Sequence, residues 1–332
     1  MSSERVEWLS LLRGINIILV VMFHVQLIDM TTGENHLFCT EICKPFNPIR
    51  MPLFVFCSGG LLYLSRISKG WEVKQLYIDK VYRIVFPFLF FVTFYYLLKL
   101  SLNSFVKTKV IFSISDFFRS FCIYYNTPSA HLWYLTVLFI FMLLYPLFRW
   151  LCKEKNRMIV FLLITILYYF VEPDISAEKN YLFFFSLHLY LVYFFFGIFI
   201  FRYKLYRYLR SYISLFITGY LYILCLLYNV PLISSLIGIL FMVALCQQIA
   251  RLSPTLFDSF RDYIYQIYLM SFIFQPFVEL ILWKKLFYNE QLFLFFYVLN
   301  VLSGIYLPVL ISKYIESTKC KWLKICFGLN YK

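Results

Sequence analysis

Between Trp8 and Gln26 the chain reads WLSLLRGINIILVVMFHVQ, a membrane-length apolar run that keeps one arginine, Arg13, and one histidine, His24. The two are eleven positions apart. At about 100° and about 1.5 Å per residue, a helix makes roughly three turns over that interval and rises about 16.5 Å, so both side chains fall on one face, half a bilayer apart. A guanidinium presents a planar fork that suits phosphate or carboxylate, and an imidazole takes up and returns a proton near neutral pH. Ionisable groups inside a span are costly and mark substrate or proton pathways. The plainer roles are a headgroup anchor for Arg13 and packing for His24.

Two further groups carry chemistry. Lys80 and Arg83 close a basic stretch that also holds Arg66, Lys69 and Lys74, and on a helix a spacing of three points them the same way. They suit a polyanion; topology and contact with anionic lipid account for them equally well. His131 and Trp133 lie in HLWYL, just as an apolar run begins. Trp133 can stack on a sugar ring or simply anchor at the interface.

The elements that hold these residues are membrane helices. The chain has 332 residues, 62% of them hydrophobic, 23% aromatic and 14% charged, against roughly 45–50% apolar and about 25% charged in a soluble domain. Apolar runs predict ten spans, near 9–29, 50–65, 84–102, 132–150, 158–172, 182–201, 212–228, 231–250, 264–282 and 292–311. The expected fold is therefore an all-α polytopic bundle forming a single transmembrane domain over 1–332, with a tail from 312 to 332. No cleavable signal peptide is read at the start, so the first helix is expected to stay.

An even number of spans puts both termini on one side. That side holds 22 of the 31 Lys and Arg residues and the other holds 9, which predicts cytoplasmic termini. The net charge of +14 is thus a matter of topology, and no nucleic-acid partner is read from it. His24, His36, His131 and His188 all map to the outer half, opposite the basic clusters. The nine cysteines form no CxxC pair and no Cys/His cluster, which argues against a zinc or redox centre. Cys39 and Cys43, in an outer loop, are either a disulfide or two free thiols. Gly59 and Gly60, in MPLFVFCSGGLLYL, are read as a close approach between helices.

LLRGINIILVVMFH, MPLFVFCSGGLL, DKVYRIVFPF and HLWYL, in this order, resemble the acyltransferase 3 family of bacterial membrane O-acyltransferases. The Arg13 to His24 spacing in a first span is similar to that family's signature. The chain departs from it in several places. Ser10 stands where many members have an acidic residue, Lys80 replaces the first arginine of a pair, no acidic residue follows HLWYL, and Ser271 stands where a histidine often follows Tyr-Leu.

The resemblance implies transfer of an acetyl or other short acyl group from acyl-coenzyme A, a co-substrate and not a resident cofactor. The acceptor it implies is a hydroxyl of a surface polysaccharide or a lipid-linked glycan precursor, at the inner membrane of a bacterial cell. Arg13, Lys80 and Arg83 would hold the anionic donor, and His24 would act as general base, by direct transfer or through an acyl-histidine. The acceptor is expected in an outer cavity bordered by His24, His131 and Trp133. A homo-oligomer is compatible with this reading. The rivals are a transporter or flippase for a glycan precursor, disfavoured because no inverted repeat is found, and a scaffold in a glycan-assembly complex.

Overall fold

The computed structural model describes residues 7–28, 35–102, 113–122, 127–171 and 184–330. It is all-helical, with no strand among the described residues. The acidic outer stretch at 172–180 and parts of the first two outer loops lie outside them.

Among the described residues, four helical segments are long and apolar enough to cross a membrane: Val73–Ser101, Pro231–Leu252, Arg261–Leu286 and Glu290–Ser317. Two bent pairs, Leu37–Phe46 with Arg50–Ile67 and Ala130–Leu143 with Tyr145–Leu151, raise the count to six if each is one span. The second pair bends by 54° at Leu144, where Pro146 opens the following helix and has no N–H to continue the ladder. Exposed apolar side chains fall in helical stripes, such as Ile213, Phe216, Ile217, Tyr220, Ile223 and Leu227 on one helix. Such stripes suit lipid rather than water.

The chain forms two compact units, Met1–Cys57 with Tyr203–Ser317, and Ser58–Arg202 with Thr318–Lys332. In the first, α1 (Glu7–Phe23) packs against α12 (Pro231–Leu252), α13 (Ile264–Phe277) and α14 (Phe293–Ser317). Also here are α2 (Leu37–Cys43), the start of α3 (Arg50–Leu62) and α11 (Tyr212–Leu227). Helix α1 ends at Phe23, six residues before the predicted end of its span. Cys39 and Cys43 are buried free thiols one turn apart on α2. The segment after α1 is held by the Trp283 indole N–H, which donates to the Ile28 carbonyl at 2.8 Å, and by an apolar cluster of Val25, Leu27, Phe293 and Phe296 around it.

The second unit holds α4 (Val73–Lys80), α5 (Phe86–Ser101), α6 (Ile114–Arg119), α7 (Trp133–Leu143), α8 (Tyr145–Leu151), α9 (Lys155–Tyr169), α10 (Phe184–Arg202) and α15 (Lys321–Cys326). A Cβ on Gly59 would collide with the Phe194 carbonyl, and one on Gly60 with the Phe201 ring, so the two glycines do let α10 approach α3 closely. The expected loop before Arg83 is instead helical from Val73, its start marked by the Glu72 N–H donating to Gln75 Oε1. The expected free tail is also folded. Trp322 packs on Phe86, and Phe327 on Phe90 and Phe91, which seats α15 and the residue after it against α5.

Candidate functional site

In the first unit α1 carries Arg13, and His24 follows its last residue, each partly buried. Arg13 sits in the helix body. Gly14, beside it, faces Phe257, whose ring leaves no room for a Cβ. Asn16 is fully buried, and with its amide oriented to satisfy both atoms it donates to the Arg50 carbonyl at 2.8 Å and accepts from the Phe54 N–H at 3.0 Å. Arg50 opens α3 and lays its guanidinium over the Phe23 ring at 3.8 Å, one residue before His24.

His24 lies one residue past the helix end. The last carbonyls of a helix have no partner within it, and in an apolar interior they must find one. His24 supplies two. Its backbone N–H donates to the Val21 carbonyl at 3.1 Å, and its ring Nδ1 lies 2.6 Å from the Val20 carbonyl. A carbonyl only accepts, so Nδ1 carries the hydrogen and Nε2 keeps its lone pair. The ring edge rests on Phe272 of α13, with centroids 4.3 Å apart. This arrangement fixes a histidine with Nε2 available as a base.

In the second unit Lys80 and Arg83 meet at a carboxylate that was not singled out from the sequence. Asp79 Oδ1 lies 3.0 Å from Arg83 Nε, and its Oδ2 lies 3.2 Å from Arg66 Nη2 and 3.5 Å from Lys80 Nζ. Three cations therefore share one anion, leaving a net +2 where the Asp79, Arg66 and Lys80 side chains are each under one-fifth exposed. Arg66 stacks over Trp71 at 3.7 Å, and its buried Nε has no acceptor. Arg83, nearly half exposed, also donates to Asn330 Oδ1 at 3.1 Å. Arg66 and Arg83 each lie on a five-residue π-helical stretch, Tyr63–Ile67 and Val81–Val85. Such wide turns recur at functional sites. The cluster is suited to a polyanion whose phosphates replace the missing negative charge.

His131 belongs to a short 3₁₀ turn before α7, its ring edge-on to Tyr95 of α5 with centroids 4.3 Å apart. Trp133 packs against Tyr190 of α10 at 5.0 Å, which occupies part of its ring surface. Tyr134, its neighbour, shares a 2.5 Å hydrogen bond with Ser58. Arg83 and Tyr95 are twelve positions apart on one continuous helical segment, a rise of about 18 Å. In the second unit, then, Arg83 lies toward one end of this helical segment and His131, from the turn before α7, packs against its other end at Tyr95. Of the predicted residues, Arg13 and His24 share one unit, while Lys80, Arg83, His131 and Trp133 share the other.

Asp79 could have been found from the sequence, since an acid beside Lys80 within a basic stretch is a visible anomaly. Arg50 also had a signal, a lone arginine at the end of a Pro-rich loop. A family model described as an acyltransferase domain matches residues 6–313, and so runs through both units. No curated protein and no solved structure matches.

Proposed function

The chain belongs to the acyltransferase 3 family, and from that membership we propose that it is a membrane O-acyltransferase. In this reading it moves an acetyl or other short acyl group from acyl-coenzyme A to a hydroxyl of a surface polysaccharide or lipid-linked glycan precursor. The observation that carries the reading is the family match over residues 6–313. The available Nε2 of His24 supports the chemistry, and the cation-rich Asp79 cluster supports an anionic donor.

The acceptor oxygen attacks the thioester carbonyl while His24 Nε2 takes the hydroxyl proton; the carbon–sulfur bond breaks, and the imidazolium returns the proton to the departing coenzyme A thiolate. In this reading Arg13, Lys80 and Arg83 are the groups that hold the anionic donor. His131 and Trp133 contact the sugar. We place ten spans in the inner membrane of a bacterial cell, with both termini cytoplasmic, on the Lys and Arg bias. The whole of 1–332 then acts as one acyltransferase domain. No observation favours the transporter or the scaffold.

The test is mass spectrometry of surface glycans from cells with and without the gene. An ester-linked acyl group present only with the gene is the expected result, and identical glycans in both strains would overturn the proposal.

A further inference from the structure

We propose that Gln275 is a positioning residue for His24, holding the end of α1 so that Nε2 stays the basic nitrogen; this rests on His24 being the general base. Gln275 lies in α13, 254 residues along the chain from the group it binds, and is 2% exposed. Its Nε2 donates to the Val21 carbonyl at 2.9 Å, the same oxygen that accepts the His24 backbone N–H at 3.1 Å. The next carbonyl back, Val20, takes the ring Nδ1. Two adjacent carbonyls of one turn thus hold the backbone and the ring of His24, and the amide of Gln275 pins that turn from outside the helix.

The pin is itself held. Asn300, fully buried on α14, donates through Nδ2 to the Gln275 backbone carbonyl at 3.3 Å. Gly304, one turn further along α14, leaves just enough room, since a Cβ there would lie 2.9 Å from Val21 Cγ1 and 3.1 Å from Gln275 Cγ. Packing alone does not call for this arrangement. Gln275 Oε1 and Asn300 Oδ1 are buried without a partner, a penalty that a methionine or leucine of similar volume would avoid. A polar side chain kept at such expense is explained by what its donor does, which is to set the carbonyls that select the His24 tautomer.

The experiment compares purified full-length protein with Gln275→Met, which keeps the length of the side chain and removes the donor. Gln275→Asn is the milder second variant, an amide one methylene too short to reach Val21, and His24→Ala is the reference. Two readouts are taken. Apparent kcat and KM are measured for acetyl-coenzyme A, with the glycan fraction of the producing cells as acceptor. Nitrogen-15 histidine spectra are recorded in parallel, the His24 signal being the one missing from His24→Ala.

The expected result is a kcat lower by roughly 10- to 100-fold with KM for acetyl-coenzyme A unchanged, because a base displaced by an ångström loses rate and not donor binding. The His24 signal should also change from the Nδ1-protonated form to a mixture of tautomers. A wild-type tautomer in both variants overturns the inference, whether activity is normal or falls only in proportion to folded protein. Activity in His24→Ala would instead remove the base assignment on which the inference depends.

Discussion

Arg13 is useful to an anionic donor only if its planar fork is engaged, and this separates it from a lysine, which keeps the charge as a compact point. Arg13→Lys is therefore expected to weaken acetyl-coenzyme A binding by about 10-fold or more, the loss of one charge-assisted hydrogen bond of about 1.5 kcal/mol. Calorimetric titration of purified protein in detergent measures it, and wild-type affinity would leave Arg13 as a topological anchor. Arg13 and His24 were legible in the sequence because an isolated ionisable residue in an apolar run stands out. Gln275 was not. It is one polar residue in the aromatic stretch YIYQIYLMSFIFQPF, and its partner lies 254 residues away, so no local pattern reveals the contact. Asp79 is intermediate, since its neighbour Lys80 is visible in the sequence but Arg66 reaches it only through the fold.

At the scale of elements, apolar length predicted where most helices lie but misplaced those that begin or end in charged sequence. Lys74, Asp79, Lys80 and Arg83 read as a loop because hydropathy is low there. Hydropathy measures burial in lipid, however, and a helix can carry charges where it leaves the apolar layer, as Val73–Ser101 does. The last segment was missed for a similar reason. Lys313, Lys319, Lys321, Lys324 and Lys332 mark 312–332 as a polar tail, yet α14 continues to Ser317, and Trp322 and Phe327 suffice to seat the following residues on α5. The glycine pair was read correctly, because small adjacent residues in a membrane helix have few other uses. Gly59→Ala should destabilise the protein by about 1–3 kcal/mol, since the obstacle is the backbone carbonyl of Phe194 and not a side chain that can turn aside. Thermal unfolding in detergent tests this; an unchanged midpoint would show that α3 and α10 are further apart than described.

For the whole molecule, the proposal drawn from the Lys and Arg bias and from the four histidines read as outer is that the donor enters from the cytoplasmic side and the acceptor from the opposite one. An activated thioester is made and kept inside the cell, whereas a surface glycan is finished outside, so an enzyme joining the two must carry the acyl group across. The most direct measurement uses proteoliposomes of known orientation, with radiolabelled acetyl-coenzyme A confined to the side of the termini and the glycan fraction confined to the other. Labelled glycan is expected from wild-type protein, and a loss of roughly 10²- to 10⁴-fold with His24→Ala at equal protein, the usual effect of removing a general base. Transfer that occurs only when both reactants share the terminus side, or that proceeds unchanged without His24, would contradict the proposal.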